Sequence, residues 1–400
     1  MIPWEDHRAR LLDAVSPLPA QDVPLQDALG LVAAADVLTR HPVPLFDNSA
    51  MDGYAVHGAE ATEGARLTVV ADVPAGSPLD PDLGPGEAAR IMTGAAAPTQ
   101  ADAVVPQENV ETGPEGADGL PAWIRILTPP KPGAHLRRCG EDSRAGSVAV
   151  PAGADLTPWA ISAVASAGYT RVPTVRHPRV AVVSTGSELI SPDAEPERGQ
   201  IPESNSVLLR AVLTADRYEV ADVAWFKDSD GDALAAHLSG LDVDAVIVTG
   251  GASVGAYDVA KHALTPLGVR FEKVGVQPGK PQGFGILPTG VPAFCLPGNP
   301  VAVAVSYEMF VRPALRRMGG HTELLRPQVT RRARVDWKCP PGRAQALPAV
   351  MDATTVAPAT AGGSGSHLVV SLAAARQLAI VPAHVERVRE GDEISVMVLS

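Results

Sequence analysis

Apolar positions change their period several times along this chain, and each change predicts a different kind of structure. From residue 4 to about 35 they fall at helical spacing (Leu11, Leu12, Val15, then Leu25, Ala28, Leu29, Leu31 and Val32), which predicts a helical opening. Over 43–136 short alternating runs at 67–70, 88–92 and 123–127 are separated by Pro and Gly turns, the pattern of a small all-β unit. A mixed segment follows over 137–173, with a helical stretch at 158–167. The stretch 174–319 is the most regular. Apolar strands at 179–184, 219–226, 244–248, 270–276 and 292–296 alternate with helices from about 204, over 232–238, ending near 265, and over 301–318. That alternation predicts a mostly parallel α/β/α sheet with right-handed connections and helices on both faces. Residues 320–400 are Pro-punctuated and β-rich, ending in Glu393-Ile-Ser-Val-Met-Val-Leu399, and predict a second small β domain.

At 400 residues the chain exceeds what one core serves, so it is a multidomain α/β plus β protein. With 33 basic against 45 acidic residues the net charge is −12, and no basic stripe offsets it, which argues against nucleic acid as a partner. A small anionic ligand needs only a local positive site and stays open. No apolar run approaches the roughly 20 residues that span a bilayer, so no membrane partner is expected. The N-terminal residues lack the basic-then-apolar layout of a signal peptide, and the expected location is cytoplasmic. Cys139, Cys295 and Cys339 are far apart and form no CxxC pair, so reduced thiols are expected and a zinc site is not.

Candidate chemistry concentrates in loops. The run Pro44-Leu-Phe-Asp-Asn-Ser-Ala-Met-Asp-Gly-Tyr-Ala55 sets turn formers and two carboxylates among apolar anchors, which suits a loop built to hold polar groups still, or an ordinary acidic turn. In a parallel sheet ligands bind at the carboxyl ends of the strands. Five special loops are expected on that edge: Thr185 to Glu188, with Gly186; Asp228; Gly250 to Asp258; Pro278 to Pro281, with Gly279; and Pro297 to Pro300. Gly250 and Gly251, with Ser253 following, allow backbone N–H groups to approach a phosphate, although a tight turn reads the same way. The spacing is neither GxGxxG nor a P-loop. Glu188, Asp228 and Asp258 offer hard oxygens that suit magnesium, or serve as helix caps. Lys280, between Gly279 and Pro281, sits in a stiff loop expected to aim its ammonium inward. His177, His262 and His321 show no ligand spacing, and no nucleophile elbow is present.

With these loops in order, the chain resembles the MoeA/gephyrin family of molybdopterin molybdenumtransferases over essentially its whole length. The resemblance rests on 46–55, Arg90-Ile-Met-Thr-Gly94, Arg137-Arg-Cys-Gly-Glu-Asp142, Ser184-Thr-Gly-Ser-Glu-Leu189, Gly250-Gly-Ala-Ser-Val-Gly255 with Asp258, Pro278-Gly-Lys-Pro281 and Leu296-Pro-Gly-Asn-Pro300. It implies a segmented helical/β lever and dimerisation domain (1–42 and 137–173), an inserted β domain (43–136), a molybdopterin-binding α/β domain (174–319) and a C-terminal β-barrel domain (320–400). It implies a homodimer whose cleft is shared between subunits, with molybdopterin adenylyltransferase and molybdoenzymes as further partners. The implied reaction takes adenylylated molybdopterin and molybdate as substrates with Mg2+, inserts the metal and releases AMP. By carry-over, Asp228 and Asp258 are metal-side acids with Glu188 nearby. Ser253 and Lys280 meet molybdate or the diphosphate, and Asp52 and Thr93 belong to the active cleft. Thr185, Gly186, Gly250, Gly251, Gly279, Pro281, Pro297, Gly298, Asn299 and Pro300 are implied to line the substrate.

The chain departs from the family pattern at several points. Gln277 stands where the family's Lys-Pro-Gly-Lys-Pro begins, Ala302 replaces a serine, Ala256 an acidic residue, and Glu203-Ser-Asn205 an Asp-Thr-Asn. In the C-terminal part Arg343 remains of an arginine-bearing segment, with Pro348 where another arginine is sought. Two other readings follow: a molybdopterin-binding scaffold with weakened chemistry, motivated by Gln277 and Ala302, and the adenylylating enzyme, whose domain resembles the α/β part.

Overall fold

The structure is a computed structural model that describes residues 1–116, 119–251, 259–360 and 368–399. Its central sheet has six strands in the order Glu219–Phe226, Arg179–Thr185, Ala245–Thr249, Pro292–Leu296, Pro281–Ile286 and Arg270–Lys273. The first four are parallel, Pro281–Ile286 runs antiparallel to them, and Arg270–Lys273, antiparallel to that strand, runs in the direction of the four. The parallel strands read as unbroken apolar runs because both faces are covered. Val180, Val182 and Ile247 point to one face, against Leu209 and Leu213 of helix Asn205–Ala215 and Val303 of helix Pro300–Ser306. Ala181, Val183, Val246 and Val248 point to the other, against Leu234 and Leu238 of helix Gly231–Gly240 and Leu264 of helix Val259–Leu264. The period of two within each strand thus divides one apolar run between two cores.

Three expectations from the sequence need correction. The strand expected over 270–276 stops at Lys273. Val276–Gln277 pairs instead with Ala344–Gln345 of a different sheet, with Gly275 between them accepting a hydrogen bond from the Ala344 N–H at 2.9 Å. Strand Pro281–Ile286, rich in glycine and unpredicted, fills the place beside Pro292–Leu296. The expected helical opening is a helix only over Trp4–Asp13. Pro17, Pro19 and Pro24 cannot sit inside a helix, so Ala20–Pro24 is a strand paired with Arg171–Val175, while Leu25, Ala28 and Leu31 pack on Leu156 and Val164 from a turn. The helix expected over 301–318 holds, with a π-helical stretch at Tyr307–Val311 just before Pro313, which has no N–H to continue the α ladder.

The β-rich stretch after residue 43 forms a six-stranded sheet in the order Ala103–Pro106, Gly53–Val56, Glu87–Ile91, Arg66–Val73, Trp123–Ile126 and Val110–Thr112. The acidic run at 44–55 is therefore part loop and part central strand. Asn48–Ser49 pairs with Leu136–Arg137, and Gly53 lies so close to Val105 that a Cβ would sit 2.1 Å from its carbonyl oxygen. Near the C-terminus, Ala344–Met351, Thr355–Pro358, Gln328–Ala333, Glu393–Val398 and Gln377–Val381 pair in a closed ring, the last returning to the first. This is the β-barrel of the expected fold class. Among the described residues no helix is long and apolar enough to cross a membrane, and Cys139, Cys295 and Cys339 are free thiols.

A buried charge cluster ties the barrel to the sheet. Asp216 ends helix Asn205–Ala215 and accepts hydrogen bonds from Tyr307 Oη at 2.7 Å, Arg312 Nε at 3.1 Å and Arg326 Nη2 at 3.2 Å. Glu308 accepts from Arg326 Nε at 3.0 Å, and Glu308 and Arg312 are themselves buried. Removing one member of such a set strands buried charges of the other sign. Asp216→Ala is expected to destabilise the protein by about 3 kcal/mol in chemical denaturation. A loss within about 0.5 kcal/mol, the range of surface substitutions, would show that the cluster is peripheral.

Candidate functional site

Four of the five special loops leave carboxyl ends of the parallel strands. The fifth reaches the same edge by a different route. The antiparallel register puts Gly283 opposite Cys295, so Pro281 falls opposite Pro297 and the 278–280 loop enters its strand where the neighbouring one leaves. Thr185, Gly186, Gly250, Gly251, Gly279, Pro281, Pro297, Gly298, Asn299 and Pro300 therefore share one edge with Glu188, Asp228 and Lys280. Ser253 and Asp258 lie outside the described residues.

Close backbone packing shapes the middle of this edge. Gly250 has φ +86°, and a Cβ there would meet the Thr185 carbonyl oxygen at 2.2 Å. Gly251 has φ +57°, and its Cβ would sit 2.8 Å from the Ala260 nitrogen. Only glycine meets both demands, which leaves backbone, not side chain, facing the open edge. Thr185 is buried and donates to the Thr249 carbonyl at 3.2 Å, joining two strand ends. Pro300 opens helix Pro300–Ser306 at a position where no N–H is needed, and Gly298 and Asn299 are exposed in front of it.

Polar groups beneath the loops hold them in place. Glu203 is buried and accepts from Ser184 Oγ at 2.9 Å and from the Ser206 N–H at 2.9 Å. Asn205 Nδ2 donates to the Gly298 carbonyl at 2.8 Å, while Asn205 Oδ1 is buried with no hydrogen-bond partner. Buried acceptors are almost always paired, so this oxygen is a candidate ligand contact. Glu203 and Asn205 entered the sequence reading only as a departure from the family pattern; their roles show once Gly298 and Ser184 are seen above and beside them.

Among the acids, Asp228 is the one held on this edge. Its Oδ2 accepts from the Ser187 N–H at 3.1 Å, and its own N–H donates to Ser187 Oγ at 3.0 Å, a reciprocal bracket between two strand ends. Glu188 is exposed nearby. Lys280 is also exposed, so its ammonium lies on the open edge and not inward as expected. What is buried is its loop: Gln282 Nε2 donates to the Gly279 carbonyl at 2.7 Å and to Ser306 Oγ at 2.8 Å, and the Lys280 carbonyl accepts from the Val274 N–H at 2.7 Å.

Asp52 and Thr93 form a pair of their own. Asp52 Oδ1 accepts from both the backbone N–H and Oγ1 of Thr93, each at 2.7 Å, and these bonds hold its carboxyl below the usual range. No hydrogen bond or ion pair among the described residues joins Asp52 to Asp228, Glu188 or Lys280. Asp47 is consumed locally, accepting from the Cys139 N–H at 2.7 Å and Arg138 Nη1 at 2.6 Å, so the two motifs 46–55 and 137–142 meet there. Among the described residues no three His, Cys, Asp or Glu side chains form a metal cluster.

The Asp52 bracket gives a pH test. A carboxyl depressed by native hydrogen bonds contributes stability above its unfolded pKa, lost as pH falls through the folded value. Thr93→Val removes one of the two bonds, so Asp52 should titrate at higher pH than in the parent, read by carboxyl NMR. The stability difference between the two proteins should be present at neutral pH and vanish in acid. An unchanged Asp52 titration would show that the Thr93 hydroxyl does not hold it.

Comparison with known proteins agrees with this layout. Residues 2–168 match the MoeA N-terminal region (domain I and II), 181–317 a probable molybdopterin binding domain, and 330–399 the MoeA C-terminal region (domain IV). The chain is 38% identical over 403 residues to molybdopterin molybdenumtransferase 2 of Mycobacterium tuberculosis, covering 97% of this chain and 96% of that protein. It is 35% identical to molybdopterin molybdenumtransferase of Haemophilus influenzae, covering 82% and 80%. The crystal structure of a molybdopterin biosynthesis MoeA protein from Pyrococcus horikoshii superposes with a TM-score of 0.81 at 30% identity, covering 100% of this chain and 99% of that one. With its domains, its strand-end loops and its near-full-length relatives in agreement, the chain belongs to the MoeA family of molybdopterin molybdenumtransferases.

Proposed function

We propose that this protein inserts molybdenum from molybdate into adenylylated molybdopterin and releases AMP, as the final step of molybdenum cofactor synthesis. The observation that carries the reading is the shared edge, where glycine backbone at 250–251, the bracketed Asp228 and the exposed Lys280 face one opening. Cleaving a phosphoanhydride requires neutralised charge and fixed geometry more than a covalent nucleophile. Backbone N–H groups and the Lys280 ammonium receive the anionic oxygens, and the buried Asn205 Oδ1 accepts from an N–H of the bound ligand.

The residues present fit a magnesium ion of the kind completed by substrate. Asp228 presents one carboxylate oxygen fixed by Ser187 and a second without a protein partner, and no cluster of three His, Cys, Asp or Glu ligands surrounds it, among the described residues. Magnesium takes one or two carboxylates, keeps waters and completes its shell with phosphate. Asp228 would hold it, with Asp258 as the second acid by resemblance. When bound, the ion supplies neutralisation of charge on the diphosphate oxygens.

The second wall of the cleft comes, in this reading, from the partner subunit of a homodimer. Asp52 and Thr93 are fixed to each other beside the inserted sheet, and among the described residues no hydrogen bond or ion pair joins Asp52 to the acids of the edge, so we assign them to the edge of a second copy. Molybdate-dependent AMP release from adenylylated molybdopterin tests the reaction. The parent protein should turn over, and Asp228→Ala should lose about a hundredfold or more in kcat. Tight ligand binding without AMP release would favour a scaffold, and unchanged turnover in Asp228→Ala would refute its role.

A further inference from the structure

Two carboxamides at the joint between sheet and barrel each hold one buried atom without a hydrogen-bond partner, and they are neighbours. Gln277 and Gln345 are Cα partners in the short parallel pairing of Val276–Gln277 with Ala344–Gln345. Residues so paired project to the same side of the ladder, on strands roughly 4.8 Å apart. Gln345 is 1% exposed, and its Nε2 has no hydrogen-bond partner. Gln277 is half-buried, and its buried Oε1 has none either. The chemistry is complementary: one is an amide donor and the other an amide acceptor.

Trp337 settles which way the Gln345 amide points. An indole N–H can only donate, and Trp337 Nε1 bonds Gln345 Oε1 at 3.0 Å. Gln345 must therefore turn its oxygen to Trp337 and its NH2 away, so the unpaired donor is a fixed feature. A donor and an acceptor left unpaired on neighbouring strands is an unfavourable arrangement, which a bond from Gln345 Nε2 to Gln277 Oε1 would relieve.

Gln277 also begins the loop that carries Lys280. Beyond it, Pro278 and Gly279 are buried, and the Gly279 carbonyl is fixed by Gln282. We propose that the chain Trp337–Gln345–Gln277 is a latch through which the barrel positions the Lys280 loop on the ligand edge. Gln345 is then a positioning residue: it touches no substrate and acts through the loop. This assigns the barrel a task in the reaction, and its catalytic consequence rests on the function proposed above.

A variant cycle tests the latch. Gln345→Glu keeps the acceptor for Trp337 but sets an oxygen against the oxygen of Gln277. Gln277→Met removes the acceptor from the more exposed side and avoids any change inside the barrel. The double variant Gln277→Lys with Gln345→Glu restores a donor facing an acceptor. Backbone hydrogen exchange should speed up about fivefold at Val274, whose N–H bonds the Lys280 carbonyl, and at Gly279 in both single variants. It should return to within about twofold of the parent in the double variant. In AMP release the single variants should raise KM with kcat less affected, and the double variant should recover. Unchanged exchange at Val274 and Gly279 in both single variants, or a double variant as fast as the singles combined, overturns the latch. The exchange result stands whether or not the parent releases AMP, so a failure of the proposed reaction is distinguishable from a failure of the latch.

Discussion

Between Lys273 and Lys280 the backbone, which joins two strands of the central sheet, is hydrogen-bonded to itself and to two other parts of the molecule. The Ile2 N–H donates to the Lys273 carbonyl at 3.0 Å, and the Gly275 N–H returns a bond to Ile2 at 2.8 Å. The Ala344 N–H donates to Gly275 at 2.9 Å, and Val274 to Lys280 at 2.7 Å. N-terminus, central sheet and barrel thus meet within a few residues of the loop that carries Lys280. A loop with few local contacts would otherwise move, and a charge that must meet an anion gains from being held before the anion arrives. The Asp216 cluster reinforces the same junction from helices that share its core, by fixing Arg326 on the segment that leads into the barrel.

Several candidate groups at the edge are held by the protein itself. Asp228 is held by Ser187, Gly298 by Asn205, Gly279 by Gln282, and Thr185 by the neighbouring strand end. The open face itself is largely backbone, because the glycines at 250 and 251 admit no side chain. Such a surface suits an anionic ligand, whose oxygens take N–H donors without the entropy cost of ordering long side chains.

Much of this was legible in the sequence, for physical reasons that differ from part to part. The parallel strands were readable because burial on both faces forces continuous apolar runs, as in Val180 to Val183 and Ala245 to Val248. The edge loops were readable because sharp turns there demand Gly and Pro. Strand Pro281–Ile286 was missed because its glycines at 283 and 285 make room for Phe271 and the Gly268 backbone, a tertiary demand with no local signal. The helical period after Leu12 misled because residues three and four apart also meet across a tight turn, and the prolines decide between the two. The exposure of Lys280 depended on a register between strands far apart in sequence. The pairing of Gln277 with Gln345 spans two domains and has no trace in either local pattern.

In the proposed homodimer the Asp52–Thr93 bracket of one subunit meets the Asp228 edge of its partner. Mixing two inactive proteins, Asp52→Ala and Asp228→Ala, and allowing their subunits to exchange tests this most directly. With random exchange about half the dimers are mixed, and each holds one cleft built from the two unaltered walls. AMP release should then recover to about a quarter of the parent rate. Subunits that exchange without any recovery would place both walls in the same chain and contradict the shared cleft.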